Sequence, residues 1–289
     1  MTQTSDNFRG ALLMAASMAG YVLNDSFVRT VSEGMGLFQI MLLRGLFVTA
    51  MLALIGWHRK AVFPTISKAD WRLLIMRVIG EVGATLCFLT ALFNMPFANA
   101  SAILQVLPLA ITLGAAVFLG EHVGWRRYLA IIVGFVGVII IVRPGSENFN
   151  AYSLWAMAAV VFIVLRDLST RKLARHVPSI FVALVSSISI TLTGAALSPT
   201  LAWKAVDFGD LAYLGGAAAF LTFGYLFSIM TMRIGDVSFI SPFRYTSLIW
   251  AIILGFVVFG EVPDGWTLVG SAIVVLMGIF TFYRERKPQ

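Results

Sequence analysis

Seven ionisable side chains lie inside long apolar stretches of this 289-residue sequence. A charge in such a setting is costly, so each of these residues is a candidate functional group. Four are arginines and three are carboxylates: Asp25, Arg44, Arg77, Glu81, Arg166, Asp167 and Arg244. Groups of this kind can bind a polar ligand, carry a proton or tie helices together.

The first two of these charges come early in the chain. Asp25, preceded by Asn24, lies about one turn before the end of the first apolar stretch, and Arg44 lies about two turns into the second. The connection between the stretches is short, so their helices are predicted to be antiparallel neighbours and the two charges can pair. One interpretation is a substrate or proton site in which the two opposite charges balance each other when no ligand is bound. The other is a structural ion pair.

The third apolar stretch carries Arg77 and Glu81, four residues apart and therefore on one helix face. For Glu81, which lies deeper, the functional hypothesis is a proton-coupling carboxylate. The alternative is a satisfied salt bridge to Arg77. Arg166 and Asp167, near the end of the sixth stretch, are either cavity charges or groups that reach the membrane interface.

Gln105 is the only strongly polar side chain in the middle of the fourth apolar stretch. A buried amide can orient a planar ligand or bridge two helices, and the sequence leaves both open. Pro108 follows three residues later and is expected to kink the helix.

The whole chain is 59% hydrophobic and 12% charged, whereas a soluble domain has roughly 25% charged residues. We therefore predict an all-α, polytopic membrane protein in the lipid bilayer. Ten apolar stretches have about the length needed to span a bilayer: Phe8–Val28, Leu37–Trp57, Trp71–Phe93, Pro96–Leu119, Trp125–Val142, Tyr152–Leu168, Ser179–Pro199, Leu211–Met232, Val237–Phe259 and Trp266–Tyr283. The net charge of +7 does not indicate a nucleic-acid partner, because most basic residues lie in short loops.

The distribution of lysine and arginine predicts the orientation. With the N-terminus in the cytoplasm, fourteen of these residues fall on the inner side and three on the outer side: Arg29, Arg143 and Lys204. This is the positive-inside pattern, so both termini are predicted to be cytoplasmic.

Two segments repeat about half a chain apart. Pro96–Glu121 and Val237–Glu261 both end in Gly-Glu, and Trp125 and Trp266 follow them. The repeat predicts two homologous halves, residues 1–145 and 146–289, each with five spans. Because five is odd, the halves are predicted to be inverted, which is a common plan for secondary transporters.

Other functional classes lack their signatures. The sequence has no phosphate-binding loop, and its three histidines lie in loops, so neither ATP-driven transport nor a metal site nor a cofactor is expected. An intramembrane enzyme would need a nucleophile with a base, or paired carboxylates, within hydrogen-bond reach, and a channel would need a ring of like charges. Neither pattern is visible, which favours a carrier. The intramembrane enzyme and the channel are the alternatives to it.

The repeated segments also resemble a known family. They read ALFNMPFANASAILQVLPLAITLGAAVFLGEHVGWRRYLAIIVGFVGVIIIVRPG and SPFRYTSLIWAIILGFVVFGEVPDGWTL, and they look like the paired signatures of EamA-type carriers in the drug/metabolite transporter (DMT) superfamily. The segment NDSFVR, followed by Gln39 and Arg44, resembles a subgroup of riboflavin and S-adenosylmethionine uptake carriers. The resemblance implies a ten-helix bundle with a central cavity, alternating access and a place in the bacterial inner membrane. It also implies that Arg244 and Tyr245 face the cavity.

We therefore expect a monomeric or homodimeric carrier for a small, polar, partly planar metabolite that is flavin-, nucleoside- or amino-acid-like. An exporter with the same fold is the alternative, and protons are a candidate coupling ion. The expected substrate contacts are Asn24, Asp25, Arg44, Gln105, Arg244 and Tyr245. The charges expected to serve coupling or the cavity are Arg77, Glu81, Arg166 and Asp167. Phe93, Phe97, Phe220, Phe223 and Tyr225 are candidates for stacking on a ligand.

The orientation can be tested by labelling single cysteines placed at Ser146 and Gln289. The positive-inside pattern predicts that a membrane-impermeant reagent reaches position 146 from the outer side and position 289 from the cytoplasmic side. The reverse pattern of labelling would overturn the predicted topology.

Overall fold

The computed structural model describes residues 3–62, 64–120, 123–145, 149–174, 176–200, 203–231 and 241–285, and in these ranges it contains helices and no strand. The α-helices are α1 (Gln3–Val31), α2 (Leu37–His58), α3 (Lys68–Asn94), α4 (Phe97–Leu104), α5 (Leu107–Leu119), α6 (Trp125–Val142), α7 (Tyr152–Lys172), α8 (Ser179–Leu197), α9 (Phe208–Thr231), α10 (Thr246–Phe259) and α11 (Gly265–Glu285). Two 3₁₀ turns occupy Ser198–Thr200 and Ser241–Tyr245.

The helices match the ten predicted spans. Within the described residues, eight helical segments are long and apolar enough to cross a membrane when α4 and α5 count as one. The shorter apolar segments Phe243–Phe259 and Gly265–Thr281 correspond to the ninth and tenth spans. The predicted start of the ninth span, residues 237–240, lies outside the described residues. The predicted all-α, ten-helix fold class is confirmed.

The fourth and ninth spans depart from a regular α-helix at equivalent places in the described residues. Helix α4 ends at Leu104 and α5 begins at Leu107, because Pro108 has no N–H to donate and its ring crowds the carbonyl of Leu104. In the second half, the 3₁₀ turn Ser241–Tyr245 precedes α10. Both spans end in a left-handed glycine, Gly120 with φ 69° and Gly260 with φ 64°. The glycine of each repeated Gly-Glu therefore serves as a helix C-cap. Other residues would adopt this left-handed backbone conformation only with strain.

The two halves interlock rather than lie side by side. The most extensive contacts pair α3 with α7, α1 with α9, α2 with α8 and α6 with α11, and α4 also contacts α10. Each pair takes one helix from each half, in the pattern that a two-fold relation between inverted repeats produces. The exact boundary at residues 145 and 146 stays a prediction, because Ser146 lies outside the described residues.

The contact between α6 and α11 depends on two glycines. A Cβ atom at Gly137 would lie 2.8 Å from the carbonyl oxygen of Gly270, and a Cβ atom at Gly270 would lie 2.5 Å from the carbonyl oxygen of Gly137. The two backbones therefore touch, as small residues permit between membrane helices.

We call the end of the bundle at which α1 begins the inner end, following the predicted orientation, and the opposite end the outer end. At the outer end, the backbone N–H of Phe97 donates to Glu261 Oε2 over 2.6 Å, so the second half caps the first helix of the interrupted fourth span. The rings of Phe97 and Phe259 pack with their centroids 5.4 Å apart. Phe97 is fully buried in this contact.

A second link at the outer end joins α6 to α11 through an ion pair between Arg143 and Asp264. Asp264 also accepts a 2.8 Å hydrogen bond from the backbone N–H of Thr267. Partial burial alone would raise the pKa of Asp264, but the bonds from Thr267 and Arg143 hold that pKa below its ordinary value.

The cap by Glu261 is expected to contribute to stability. Glu261→Ala should lower the free energy of unfolding by about 1 kcal/mol, the usual cost of losing a side-chain helix cap. The measurement is thermal unfolding of the purified protein in detergent. Glu33→Ala, which changes an exposed carboxylate between α1 and α2, is the matched control. Equal unfolding temperatures for the two variants would contradict a stabilising cap.

Candidate functional site

The first polar cluster, called the outer cluster, consists of Asn24, Asp25 and Arg44. Arg44 Nη1 donates to Asn24 Oδ1 over 3.1 Å, and Asn24 Nδ2 donates to Asp25 Oδ1 over 2.9 Å. Asn24 and Arg44 are buried. In the part of the chain that the structure describes, no ion pair joins Asp25 directly to Arg44. The predicted pairing of these charges is therefore indirect, with an amide between them.

The second polar cluster is a chain of alternating charges, called the charge chain. Arg77 and Glu81 lie 3.3 Å apart, Glu81 and Arg166 lie 3.3 Å apart, and Arg166 donates to Asp167 over 2.8 Å. Asp167 in turn lies 3.6 Å from Arg244. Each carboxylate is thus flanked by two guanidinium groups. The link between Glu81 on α3 and Arg166 on α7 joins the two halves.

Hydroxyl groups add two hydrogen bonds to the charge chain. Tyr225 on α9 donates to Glu81 Oε1 over 2.8 Å, and Arg77 Nη1 donates to Thr170 Oγ1 over 2.8 Å. Glu81 is buried, with 3% of its surface exposed. The predicted Arg77–Glu81 contact is present, and Arg166 and Asp167 lie in the chain rather than free at the interface. The coupling role of Glu81 stays a prediction.

Gln105 bridges the fourth and ninth spans. Its Nε2 donates to Ser247 Oγ over 3.0 Å and to the Ser101 carbonyl over 3.1 Å, and the Ser247 hydroxyl donates to the Arg244 carbonyl over 2.8 Å. Of the two roles that the sequence left open, this conformation shows the helix bridge. A ligand contact by Gln105 stays a prediction.

Tyr245 faces α11 in this conformation. The residue is 5% exposed, and a Cβ atom at Gly278 would overlap the Tyr245 hydroxyl. Its ring therefore fills the space above a glycine instead of lining an open cavity. The expectation that Tyr245 contacts substrate stays a prediction for another conformation.

A cavity lies between the outer cluster and the charge chain. Its walls come from α2, α8 and α9, and its lining residues are Arg44, Gly45, Val48, Ser187, Ile190, Leu221 and Tyr225. It therefore lies at the interface of the two halves and connects a guanidinium of the outer cluster with the tyrosine that binds Glu81. In this conformation it has room for about one water molecule.

The sequence does not predict part of this site. It indicates Tyr225 as a stacking surface and not as the hydrogen-bond donor to Glu81, and it does not single out Ser187. The Ser187 hydroxyl lies 2.7 Å from Thr49 Oγ1, and Thr191 lies one turn further along α8. The only indication in the sequence was the presence of three hydroxyl groups, those of Thr49, Ser187 and Thr191. The packing of α2 on α8 brings them together.

Comparison with known proteins decides the family. The profile of the EamA-like transporter family matches residues 8–143 and 150–284, which is most of the chain in two consecutive copies. The chain belongs to this family. The predicted EamA-type resemblance is therefore confirmed, and the chain is a multi-pass membrane transporter of the DMT superfamily rather than an enzyme.

Relatives of this EamA-like chain have several named substrates. An S-adenosylmethionine uptake transporter of Rickettsia bellii is 29% identical over 198 residues, which cover 66% of this chain and 66% of that protein, just under two thirds. A riboflavin transporter of Vibrio cholerae is 28% identical over 80% of this chain and 73% of that protein. The pseudopaline exporter CntI of Pseudomonas aeruginosa strain PAO1 is 23% identical over 92% of this chain and 93% of that protein.

A solved crystal structure matches the EamA-like chain over 100% of both chains, with a TM-score of 0.67 and 18% sequence identity. At that identity the similarity shows the fold alone.

The charge chain generates a stability prediction. Glu81→Gln leaves the guanidinium groups of Arg77 and Arg166 without their shared anion in a buried place, so it should lower the free energy of unfolding by roughly 3–5 kcal/mol. Tyr225→Phe removes only the hydroxyl bond to Glu81 and should cost about 1 kcal/mol. Thermal unfolding in detergent measures both. If Glu81→Gln costs no more than Tyr225→Phe, the ion pairs do not stabilise the bundle.

Proposed function

We propose that this EamA-like protein is a secondary active transporter that moves a small, polar, partly planar metabolite across the cytoplasmic membrane by alternating access. Its substrate would be flavin-, nucleoside- or amino-acid-like. The observation that carries the proposal is the cavity between the two halves, which lies beside buried charges in an otherwise apolar bundle. Intramembrane charges and a site at the repeat interface are the features by which such carriers bind their substrates.

The interlocking halves support an alternating-access mechanism. The cavity is too small for a metabolite in this conformation, so the helices around it must separate before substrate enters. The Glu81–Arg166 pair joins α3 to α7 across the halves, and Tyr225 adds a third helix to it. We propose that this part of the charge chain holds the bundle closed in the present conformation and is rearranged when the cavity opens.

The balance of buried charges supports a substrate with an acceptor group. Four arginines stand against three carboxylates among the seven ionisable residues selected from the sequence, so an anionic or strongly accepting group on the substrate is favoured. A guanidinium binds a carboxylate or phosphate through two parallel hydrogen bonds. A simple sugar and a permanently cationic drug fit this set poorly.

The proposed substrate contacts divide into two groups. Asn24, Asp25 and Arg44 lie together in the outer cluster, and Arg44 lines the cavity. Arg244 and Tyr245 lie in the 3₁₀ turn before α10, and Gln105 lies at the end of α4. We propose that these three residues reach substrate after the cavity opens. Proton coupling through Glu81 is part of the same proposal.

An exporter of the same fold is the second candidate. The observation in its favour is that the match to the Pseudomonas aeruginosa exporter extends over more of this chain than the matches to the two uptake carriers. Both candidates share the proposed site and differ in the direction of net transport. We further propose that the protein lies in the bacterial inner membrane with both termini in the cytoplasm.

The experiment is uptake of a panel of radiolabelled metabolites into proteoliposomes. We expect saturable uptake of at least one compound with an anionic or accepting group. Arg244→Lys keeps the charge but loses the planar fork, so it should raise the half-saturating concentration by roughly tenfold. Arg9→Lys at the exposed start of α1 is the control. Uptake that never saturates would favour a channel, and equal values for both variants would remove Arg244 from the site.

A further inference from the structure

Two opposite charges of the outer cluster are held apart by a neutral amide. Asn24 Oδ1 accepts from the Arg44 guanidinium, and Asn24 Nδ2 donates to the Asp25 carboxylate. The oxygen of the amide thus occupies the place of an anion beside Arg44. Its nitrogen occupies the place of a cation beside Asp25. A single neutral group serves both charges in this conformation.

We infer that the outer cluster recognises a zwitterionic head group, in which an ammonium and a carboxylate lie on the same or neighbouring atoms, as in an α-amino acid. The carboxylate of the substrate would accept from Arg44, and its ammonium would donate to Asp25. Asn24 would release both charges when substrate binds. This inference rests on the proposed transport function and narrows its substrate class.

The charge balance favours a zwitterion over ligands with one charge. A zwitterion satisfies both Asp25 and Arg44 and adds no net charge to a site inside the membrane. A carboxylate alone would satisfy Arg44 but place a second anion near Asp25. An ammonium alone would satisfy Asp25 but approach the Arg44 guanidinium. Like charges brought close together in a poorly solvated site repel each other strongly.

The charge chain offers no comparable place for a zwitterion. Glu81 contacts two guanidinium groups and the Tyr225 hydroxyl, and Asp167 likewise lies between two arginines. Both carboxylates already have cationic partners within the protein. Asp25 has no cation within 4.0 Å in the described residues, and it accepts a hydrogen bond from the neutral amide of Asn24. The unpaired opposite charges are therefore those of the outer cluster.

The rest of such a substrate would lie beside Arg44, in the cavity once it opens. Arg44 lines the cavity, and its hydrogen bond to Asn24 engages only Nη1 within the described part of the chain. The cavity walls add apolar surface from Val48, Ile190 and Leu221. A substrate that places its head group on the outer cluster would extend its apolar part along these walls as the cavity opens.

The test uses three sets of probes, built on phenylalanine, methionine and S-adenosylmethionine. Each set contains the amino acid, an analogue that lacks the amino group and an analogue that lacks the carboxylate. Binding is measured with the purified full-length protein in lipid nanodiscs. The inference predicts that in at least one set the zwitterion binds about tenfold to a hundredfold more tightly than either analogue, the size expected for losing one charge-assisted bond.

Two variants test which charge of the substrate is bound by Asp25 and which by Arg44. Asp25→Asn should weaken binding of the zwitterion by about tenfold or more, but it should not weaken the analogue without an amino group, which gains from the loss of a nearby anion. Arg44→Gln should weaken the zwitterion similarly, and it should not weaken the analogue without a carboxylate, which gains from the loss of a nearby cation. Glu33→Ala is the control, and unfolding temperatures establish that each variant is folded.

Several outcomes would overturn the inference. One is that no zwitterion outbinds its analogues in the wild-type protein, a result that does not depend on the folding of any variant. Another is that Asp25→Asn and Arg44→Gln weaken all three members of a set equally, which is the signature of a structural cluster. If the metabolite panel shows saturable uptake of riboflavin while no zwitterion binds, this inference fails and the proposed transport function stands. If no compound is taken up, the transport proposal itself fails.

Discussion

The structure depends on the cost of placing charge inside a membrane. Seven ionisable groups interrupt stretches that are otherwise apolar enough to span a bilayer, and each must find a partner within the protein. Glu81 finds one on its own helix, Arg77, and another across the halves, Arg166. Because the second partner belongs to the other repeat, satisfying this carboxylate also fixes how the two repeats lie against each other. Tyr225 adds α9 to the same junction.

The backbone is under a similar constraint, because its N–H and C=O groups also need hydrogen-bond partners inside the bundle. The fourth and ninth spans are tied to each other at two places. Gln105 bonds Ser247 where these spans approach, and Glu261 caps the N-terminus of α4 at the outer end. Close glycine contacts, such as Gly137 with Gly270, let the helices of opposite halves touch along their backbones. The turns and ends of the fourth and ninth spans therefore become points of contact between the repeats.

The two polar clusters differ in how fully they are satisfied. In the charge chain each carboxylate lies between guanidinium groups, an arrangement suited to holding helices together. In the outer cluster, Asn24 separates Asp25 from Arg44, and Arg44 borders the cavity. A carrier needs both conditions, because it must close without substrate and still present groups that substrate can satisfy better than the protein does.

The sequence by itself determined the spans, the two repeats, the family and which residues carry intramembrane charge, because these follow from local hydropathy and from residues a fixed distance apart. The Arg77–Glu81 contact was also predictable, since four residues make about one helical turn. Only the tertiary structure decided that Asn24 lies between Asp25 and Arg44, that Arg166 and Tyr225 reach Glu81, and that Tyr245 faces Gly278. These contacts join different helices, and the rotation and crossing of packed helices are set by the shapes of both partners, which the periodicity of neither helix contains.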